Sequence, residues 1–90
     1  MSNRFDPAKD ATNRAKHGLS LAFGEKLFED GAHLILPSIR VVDGEERFKV
    51  VGVVEDRSYT GVFVWRDDIP RFISVRRSNV GEERAYRSNG

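Results

Sequence analysis

The stretch that decides the fold is residues 47–66, RFKVVGVVEDRSYTGVFVWR. Two runs rich in valine and aromatic residues, Arg47–Val54 and Tyr59–Arg66, lie on either side of the polar segment Glu55–Ser58. β-branched and aromatic residues favour strands, and a short polar break between two such runs is typical of a hairpin. These residues therefore predict two adjacent antiparallel strands.

The same pattern extends the sheet in both directions along the chain. His33–Val42 predicts a strand before the hairpin, in which Pro37 indicates an edge position or a bulge. The dipeptide at 43–44, Asp-Gly, predicts the turn that follows it. A turn at 67–70 leads to a fourth predicted strand, Arg71–Arg77. Because all the connections are short, the four strands are expected to form an antiparallel meander.

Helices are predicted at both ends of the chain. Asp6-Pro7 is a helix start signal, and Gly18 ends that helix. Ser20 suits the N-cap of a second helix that continues to Asp30, and Glu82–Arg87 predicts a short C-terminal helix. The predicted fold is a single α+β domain over residues 1–90. In this two-layer domain, helices pack on one face of a four-stranded antiparallel sheet.

Composition narrows the class of protein. Ninety residues make one domain, and the absence of cysteine excludes disulfide scaffolds, thiolate metal sites and cysteine nucleophiles. The sequence contains no apolar run long enough for a membrane span and begins without the apolar stretch of a signal peptide. These features predict a cytoplasmic protein that makes no contact with a membrane.

Charge is unevenly distributed along a chain whose net charge is only +1. Residues 1–24 carry four cations and two anions, residues 25–56 four and eight, and residues 57–78 five and two. Eleven of the 15 cations are arginine, which binds phosphate through a planar fork. Two interpretations stay open: the basic segments meet to form a phosphate-binding face, or the surface is simply of mixed sign.

Two segments have residues suited to catalysis or to binding RNA. His17 lies near the end of the first predicted helix, either for proton transfer or only to cap the last carbonyls. In the fourth strand, alternation places Ile73 and Val75 on one face. It places Phe72, Ser74 and Arg76 on the other. An aromatic ring beside arginine on an open sheet face suits base stacking and phosphate contact, and a solvated strand end is the alternative.

Other familiar site types are not indicated by the sequence. The two histidines are 16 residues apart, with no carboxylate at metal-ligand spacing, and no glycine-rich phosphate loop is present. The sequence therefore predicts no metal site and no cofactor. Trp65, next to Arg66, is interpreted either as a stacking platform or as a core residue.

A set of short motifs follows in a fixed order over residues 5–86. The motifs are Phe5-Asp6-Pro7-Ala8-Lys9, Asn13, Lys16-His17-Gly18, Ser20, Phe28-Glu29-Asp30, Asp43-Gly44-Glu45-Glu46-Arg47-Phe48, Gly52, Arg66, Arg71-Phe72-Ile73-Ser74-Val75-Arg76, Glu82 and Tyr86. In this order and spacing the chain resembles the BrnT toxins of bacterial type II toxin–antitoxin systems. It departs from them in lacking the usual residues between Phe5 and Asp6. It also has Leu-Ala-Phe-Gly after Ser20, where the family usually has Phe-Glu-Glu-Ala.

The resemblance implies a RelE-like fold and a ribonuclease that cleaves RNA without a metal ion and arrests translation. It also implies a BrnA-like antitoxin that neutralises the enzyme, assembles with it into a hetero-oligomer and makes the contacts with DNA. A non-catalytic module of the same fold, which only pairs with a partner protein, is the alternative.

Seven side chains are expected to carry these functions. The predicted catalytic residues, which we expect to converge at one end of the sheet, are His17 for proton transfer and Arg66 and Arg76 for charge stabilisation. The predicted RNA-binding residues are Lys16, Arg77, Phe72 and Tyr86.

Overall fold

A computed structural model describes residues 7–42 and 45–89. The elements are, in chain order, α1 (Pro7–His17), a 3₁₀ turn (Leu21–Phe23), α2 (Gly24–Glu29), β1 (Leu34–Val42), β2 (Glu45–Val54), β3 (Arg57–Arg66), β4 (Ile69–Arg77) and α3 (Val80–Asn89). The strands form one antiparallel sheet in the order β1-β2-β3-β4, which confirms the predicted α+β fold. The predicted helix start at Asp6 and turn at 43–44 lie outside the described residues.

Both hairpins on either side of β3 are tighter than predicted. Each loop has two residues, 55–56 and 67–68, because Val54 pairs with Arg57 and Arg66 pairs with Ile69. All four loop residues are acidic and have positive φ, between 51° and 66°. Two consecutive positive φ angles define the type I′ turn, whose twist matches that of the strands. The strands therefore begin two residues earlier than the sequence pattern predicts.

The register assigns every side chain of the sheet to one of two faces. Val50, Gly61 and Val75 are paired neighbours, and they define the helix face, on which the 3₁₀ turn and α2 pack. Thr60 pairs with Val51 and with Arg76, and these residues define the opposite face. Neighbours along a strand alternate between the two faces.

The hydrophobic core lies on the helix face. Its fully buried residues are Leu21, Leu27, Val50, Phe63, Phe72 and Val75. Gly52 allows α2 to approach the sheet closely, because a Cβ at this position would lie 2.9 Å from the carbonyl oxygen of Leu27. Ser20 caps the 3₁₀ turn as predicted, and its Oγ accepts a hydrogen bond from the Phe23 N–H at 3.3 Å.

The other two helices cover different parts of the sheet. α1 lies along the free edge of β4, where Asn13 bonds both backbone groups of Val75. α3 lies at one end of the opposite face, where the Glu82 carboxylate bonds Thr60 and Arg76. Within the described residues, no helix has the length and apolar character needed to cross a membrane.

Candidate functional site

A cleft of about 430 Å³ separates α1 from β4. It is lined by six residues of α1 and two of β4, which are Ala8, Lys9, Thr12, Asn13, Lys16, His17, Ile73 and Ser74. Lys9, Lys16 and His17 are exposed, so that their polar ends are available to a ligand. Two cations and an imidazole beside a strand edge form a site that attracts an anion and can transfer a proton. We call it the α1–β4 cleft.

Asn13 fixes the position of α1 against β4. Its amide nitrogen donates to the carbonyl oxygens of Val75 and Leu19, both at 2.8 Å. Its amide oxygen accepts from the Val75 N–H at 3.0 Å and from Ser74 Oγ at 3.2 Å. Asn13 is 4% exposed, and its side chain takes the place of a neighbouring strand at this edge. The hydrogen bonds of Asn13 to Ser74 and Val75 therefore fix the distance between α1 and β4 at the base of the cleft.

Asp10 ties the other end of α1 to the chain that follows the helix. Its carboxylate accepts from the Leu21 N–H at 2.7 Å and from Arg14 Nε at 3.0 Å. The hydrogen bond from Leu21 lowers the pKa of Asp10 and outweighs the opposing effect of burial. The Asp10–Leu21 bond and the Asn13–Leu19 bond hold the chain that follows α1 against the helix, directly after Lys16 and His17.

Arg76 and Glu82 form a bidentate ion pair on the opposite face of the sheet. Arg76 Nη1 and Nη2 donate to the two Glu82 oxygens at 2.8 and 2.7 Å. Glu82 also accepts hydrogen bonds from Thr60 at 2.9 Å and from the Asn79 N–H at 3.0 Å, and Lys49 lies 3.4 Å away. Burial raises the pKa of Glu82, but these hydrogen bonds outweigh burial and lower the pKa to about 2. The carboxylate is therefore ionised at neutral pH and serves as an anchor.

The ion pair leaves one edge of the Arg76 guanidinium available. Of its five N–H groups, Nη1 uses two, on Glu82 and the Arg77 carbonyl, and Nη2 uses one on Glu82. Within the described residues, Nε–H and the second Nη2–H donate no hydrogen bond, and they point in the same direction as a fork that fits two phosphate oxygens. The Arg76 side chain is 27% exposed, so it is partly accessible to a ligand.

Arg76 is also near the α1–β4 cleft. Ser74, which lines the cleft, and Arg76 are alternate residues of β4 and point to the same face, about 7 Å apart along the strand. Arg76 is therefore two residues along β4 from a residue of the cleft that also contains Lys16 and His17.

The predicted convergence of Arg66 with this region is wrong. Arg66 lies at the end of β3 next to the 67–68 turn, whereas Arg76 pairs with Thr60. Six residues of strand separate the two positions, which is about 20 Å. The sequence motifs predict both arginines as site residues but do not predict the strand register. Only the register shows that the two arginines lie at different ends of the sheet.

The predicted exposure of Phe72 is also wrong. Its ring is 1% exposed, and it packs beneath Gly24 and beside Phe63 in the core. The pairing shifts in β4, where Val62 faces Ser74 but Phe63 faces Phe72, so that Ile73 is an extra residue in the strand. This bulge reverses the alternation and turns Phe72 toward the helices. Phe72 therefore has no open face on which a base can stack.

Arg77 and Tyr86 line a second, smaller cleft at the end of the sheet, between α3 and the 55–56 turn. The Tyr86 hydroxyl donates to the Asp30 carboxylate at 2.6 Å. This bond raises the pKa of Tyr86 and lowers that of Asp30. Asp30 also accepts from the Val53 N–H, so that Tyr86 helps to join α3, α2 and β2. Tyr86, which the sequence predicts as an RNA-binding residue, thus has a structural role in the molecule.

The sequence interpretation missed the supporting roles of Asn13 and Glu82. Both belong to the motifs that resemble the BrnT family, but nothing in the spacing relates Asn13 to Val75 or Glu82 to Arg76.

Trp65 is 43% exposed at the edge of the helix face, where its ring meets Phe63 edge-on, so it lies outside the core.

A comparison with protein families finds a match over residues 5–82 to the model of the ribonuclease toxin BrnT of type II toxin–antitoxin systems. No curated protein matches the chain at a significant level.

Proposed function

We propose that this chain, which belongs to the BrnT family of ribonuclease toxins of type II toxin–antitoxin systems, cleaves RNA without a metal ion at the α1–β4 cleft. Membership of the family makes the chain a ribonuclease toxin, with RNA as its substrate and an antitoxin protein as its partner. The observation that supports this location is the presence of Lys9, Lys16 and His17 in one cleft, whose lining residue Ser74 is two residues from Arg76 in β4.

In the proposed reaction the substrate supplies its own nucleophile. The 2′-oxygen attacks the adjacent phosphorus as it loses its proton, a bond forms between them, and the bond from phosphorus to the 5′-oxygen breaks. The departing 5′-oxygen gains a proton, so the products are a 2′,3′-cyclic phosphate and a 5′-hydroxyl. His17 transfers one of these protons, as imidazole does in many enzymes that work near neutral pH.

Positive charge stabilises the phosphorane that forms between the two steps. Lys9 and Lys16 lie beside His17 in the cleft, where their ammonium groups hold the phosphate oxygens. The free fork of Arg76 donates to the same phosphate, and Glu82 keeps the guanidinium in place before the substrate arrives. Arg66 lies about 20 Å along the sheet from Arg76, and its predicted catalytic role has no support from this position.

The family resemblance extends the proposal to the biology of the protein. Cleavage of cellular RNA by the free toxin arrests translation in the cytoplasm. A BrnA-like antitoxin binds the toxin in a hetero-oligomer and covers the active site, and DNA is contacted only through the antitoxin.

RNA cleavage by the purified protein in excess EDTA tests the proposal. We expect cleavage to persist and the 5′ fragments to end in a 2′,3′-cyclic phosphate. Arg76→Ala should lower the rate by roughly 100-fold, as loss of one donor to a developing anion typically does. Arg76→Lys keeps the charge but not the fork, so its cleavage rate should lie between those of the wild type and Arg76→Ala.

Two results would reject the proposal. Cleavage that disappears in EDTA and returns with added Mg²⁺ would show that the reaction needs a metal ion. Absence of cleavage together with absence of growth arrest on induction would favour the non-catalytic binding module.

A further inference from the structure

Three arginines from three different elements meet at the second cleft. Arg57 begins β3, Arg77 ends β4 and Arg87 lies in the last turns of α3. Together with Ser58 and Tyr86 they line a cavity of about 180 Å³. The three arginines are separated by 10 to 30 residues in the chain, so only the fold brings them together. We call this cavity the arginine pocket.

The arginine pocket has a formal surplus of one positive charge, because its lining includes three arginines and two carboxylates. Asp56 and Glu83 also line the pocket, but among the described residues no ion pair joins either of them to an arginine. The three arginines are exposed, and Arg77 lies with its guanidinium carbon 5.5 Å from the centre of the Tyr59 ring. The pocket therefore combines this surplus of positive charge with arginine N–H donors that form no ion pair among the described residues.

We infer that the arginine pocket binds a backbone phosphate of the RNA strand at a distance from the scissile bond. A guanidinium presents paired N–H donors that match phosphate oxygens, and three of them around a small cavity are suited to a single phosphate group. Arg77 follows Arg76 in β4, and because neighbouring residues of a strand point to opposite faces, the pocket lies across the end of the sheet from the fork assigned to the reacting phosphate. The inference rests on the proposed function, because it takes RNA as the ligand.

Binding of a 2′-O-methyl RNA oligonucleotide of mixed sequence tests this site. The probe lacks the 2′-hydroxyl nucleophile, so its binding is measured by fluorescence anisotropy without cleavage. The double variant Arg57→Ala/Arg87→Ala removes two arginines of the pocket, and Arg84→Ala is the matched control. Arg84 is an exposed arginine of the same helix that does not line the pocket.

Counterion release gives the expected size of the effect. The pocket holds one phosphate, so the double variant should lower the slope of log K against log salt by about 0.7, the value for one phosphate of a single strand. At about 0.1 M salt this corresponds to binding weakened by roughly 5-fold, and the difference should vanish near 1 M salt. Arg57→Lys/Arg87→Lys should keep most of the salt slope but bind more weakly than the wild type, because lysine keeps the charge without the fork.

The inference is overturned if the double variant, with an unchanged thermal midpoint, binds with the affinity and salt slope of Arg84→Ala. RNA cleavage by His17→Ala separates this inference from the proposed function. If His17→Ala loses cleavage while the double variant binds normally, the arginine pocket is refuted and the α1–β4 cleft stands. If His17→Ala cleaves normally while the double variant binds weakly, the pocket is supported and the cleft is refuted.

Discussion

Replacing Glu82 with glutamine removes the charge at the centre of the polar network on the opposite face. The change leaves Arg76 and Lys49 without their carboxylate and weakens the hydrogen bonds from Thr60 and the Asn79 N–H. A buried ion pair that loses one partner leaves an uncompensated charge, and this is a large effect relative to the 5–15 kcal/mol that stabilises a typical domain.

The magnitude follows from the pKa of Glu82. A decrease from 4.5 in the unfolded chain to about 2 in the folded protein corresponds to about 3 kcal/mol of stability at neutral pH. Lys49 and Arg76 are 31% and 27% exposed, so solvent screens part of the interaction. We therefore expect Glu82→Gln to lower the free energy of unfolding by about 2 kcal/mol at pH 7.

The pH dependence gives the prediction its sign. Because folding lowers the pKa of Glu82, the carboxylate stabilises the protein fully above pH 4.5, and this contribution is lost as the pH falls toward 2. Roughly 60% of it should be lost by pH 3. The difference between wild type and Glu82→Gln should therefore shrink as the pH is lowered from 7 to 3.

Urea denaturation at pH 7, 4 and 3 measures this difference directly. Glu29→Gln is the control, because Glu29 is an exposed carboxylate without an ion pair among the described residues, and its replacement should change stability by less than about 0.5 kcal/mol. A Glu82→Gln variant that is equally destabilised at pH 7 and pH 3, or that is as stable as the wild type at pH 7, would refute the reasoning.

Three further predictions concern contacts that position the site. Asn13→Ala removes both bonds to Val75 and should lower the free energy of unfolding, measured by urea denaturation, by about 2–4 kcal/mol. Asn13→Asp keeps only the acceptor and should also destabilise the protein. A wild-type midpoint for either variant would contradict this role. Gly52→Ala should lower the free energy of unfolding by about 1–3 kcal/mol, because the new Cβ meets the α2 backbone. Gly31→Ala, with open space around its Cβ, should lower it by less than about 1 kcal/mol. Equal losses of stability in the two variants would contradict the packing. Tyr86→Phe should cost about 1–2 kcal/mol, and an unchanged thermal midpoint would show that its hydroxyl bond is not formed.

The fold was largely predictable because its strands carry their own signal. Valine and aromatic residues in β2 and β3 favour extended structure wherever they are placed, and short polar breaks between them allow only hairpins. The turns were predicted too long, since Glu55 and Asp67 adopt positive φ without the glycine that usually marks a two-residue turn. The face of the sheet on which α3 packs depends on Glu82, a charged residue that hydrophobic patterns do not locate.

The sequence could locate a site residue only where its position within one helix or strand determines its surroundings. Lys16 and His17 end α1, so their neighbourhood follows from the helix itself. Phe72 was assigned to the wrong face because one extra residue, Ile73, reverses the alternation of β4. Arg66 was placed near Arg76 because spacing along the chain contains no register.

The role of His17 at the α1–β4 cleft is tested most directly by the rate of RNA cleavage in EDTA for His17→Ala beside His33→Ala. His33 is the other histidine of the chain, and its ring bonds the Asp30 carbonyl at 2.8 Å and packs against Phe28, away from the cleft. We predict that His17→Ala, with a normal thermal midpoint, cleaves at least about 100-fold more slowly than the wild type, as loss of a proton-transfer group does. His33→Ala should keep the wild-type rate. Cleavage by folded His17→Ala at the wild-type rate would contradict the account.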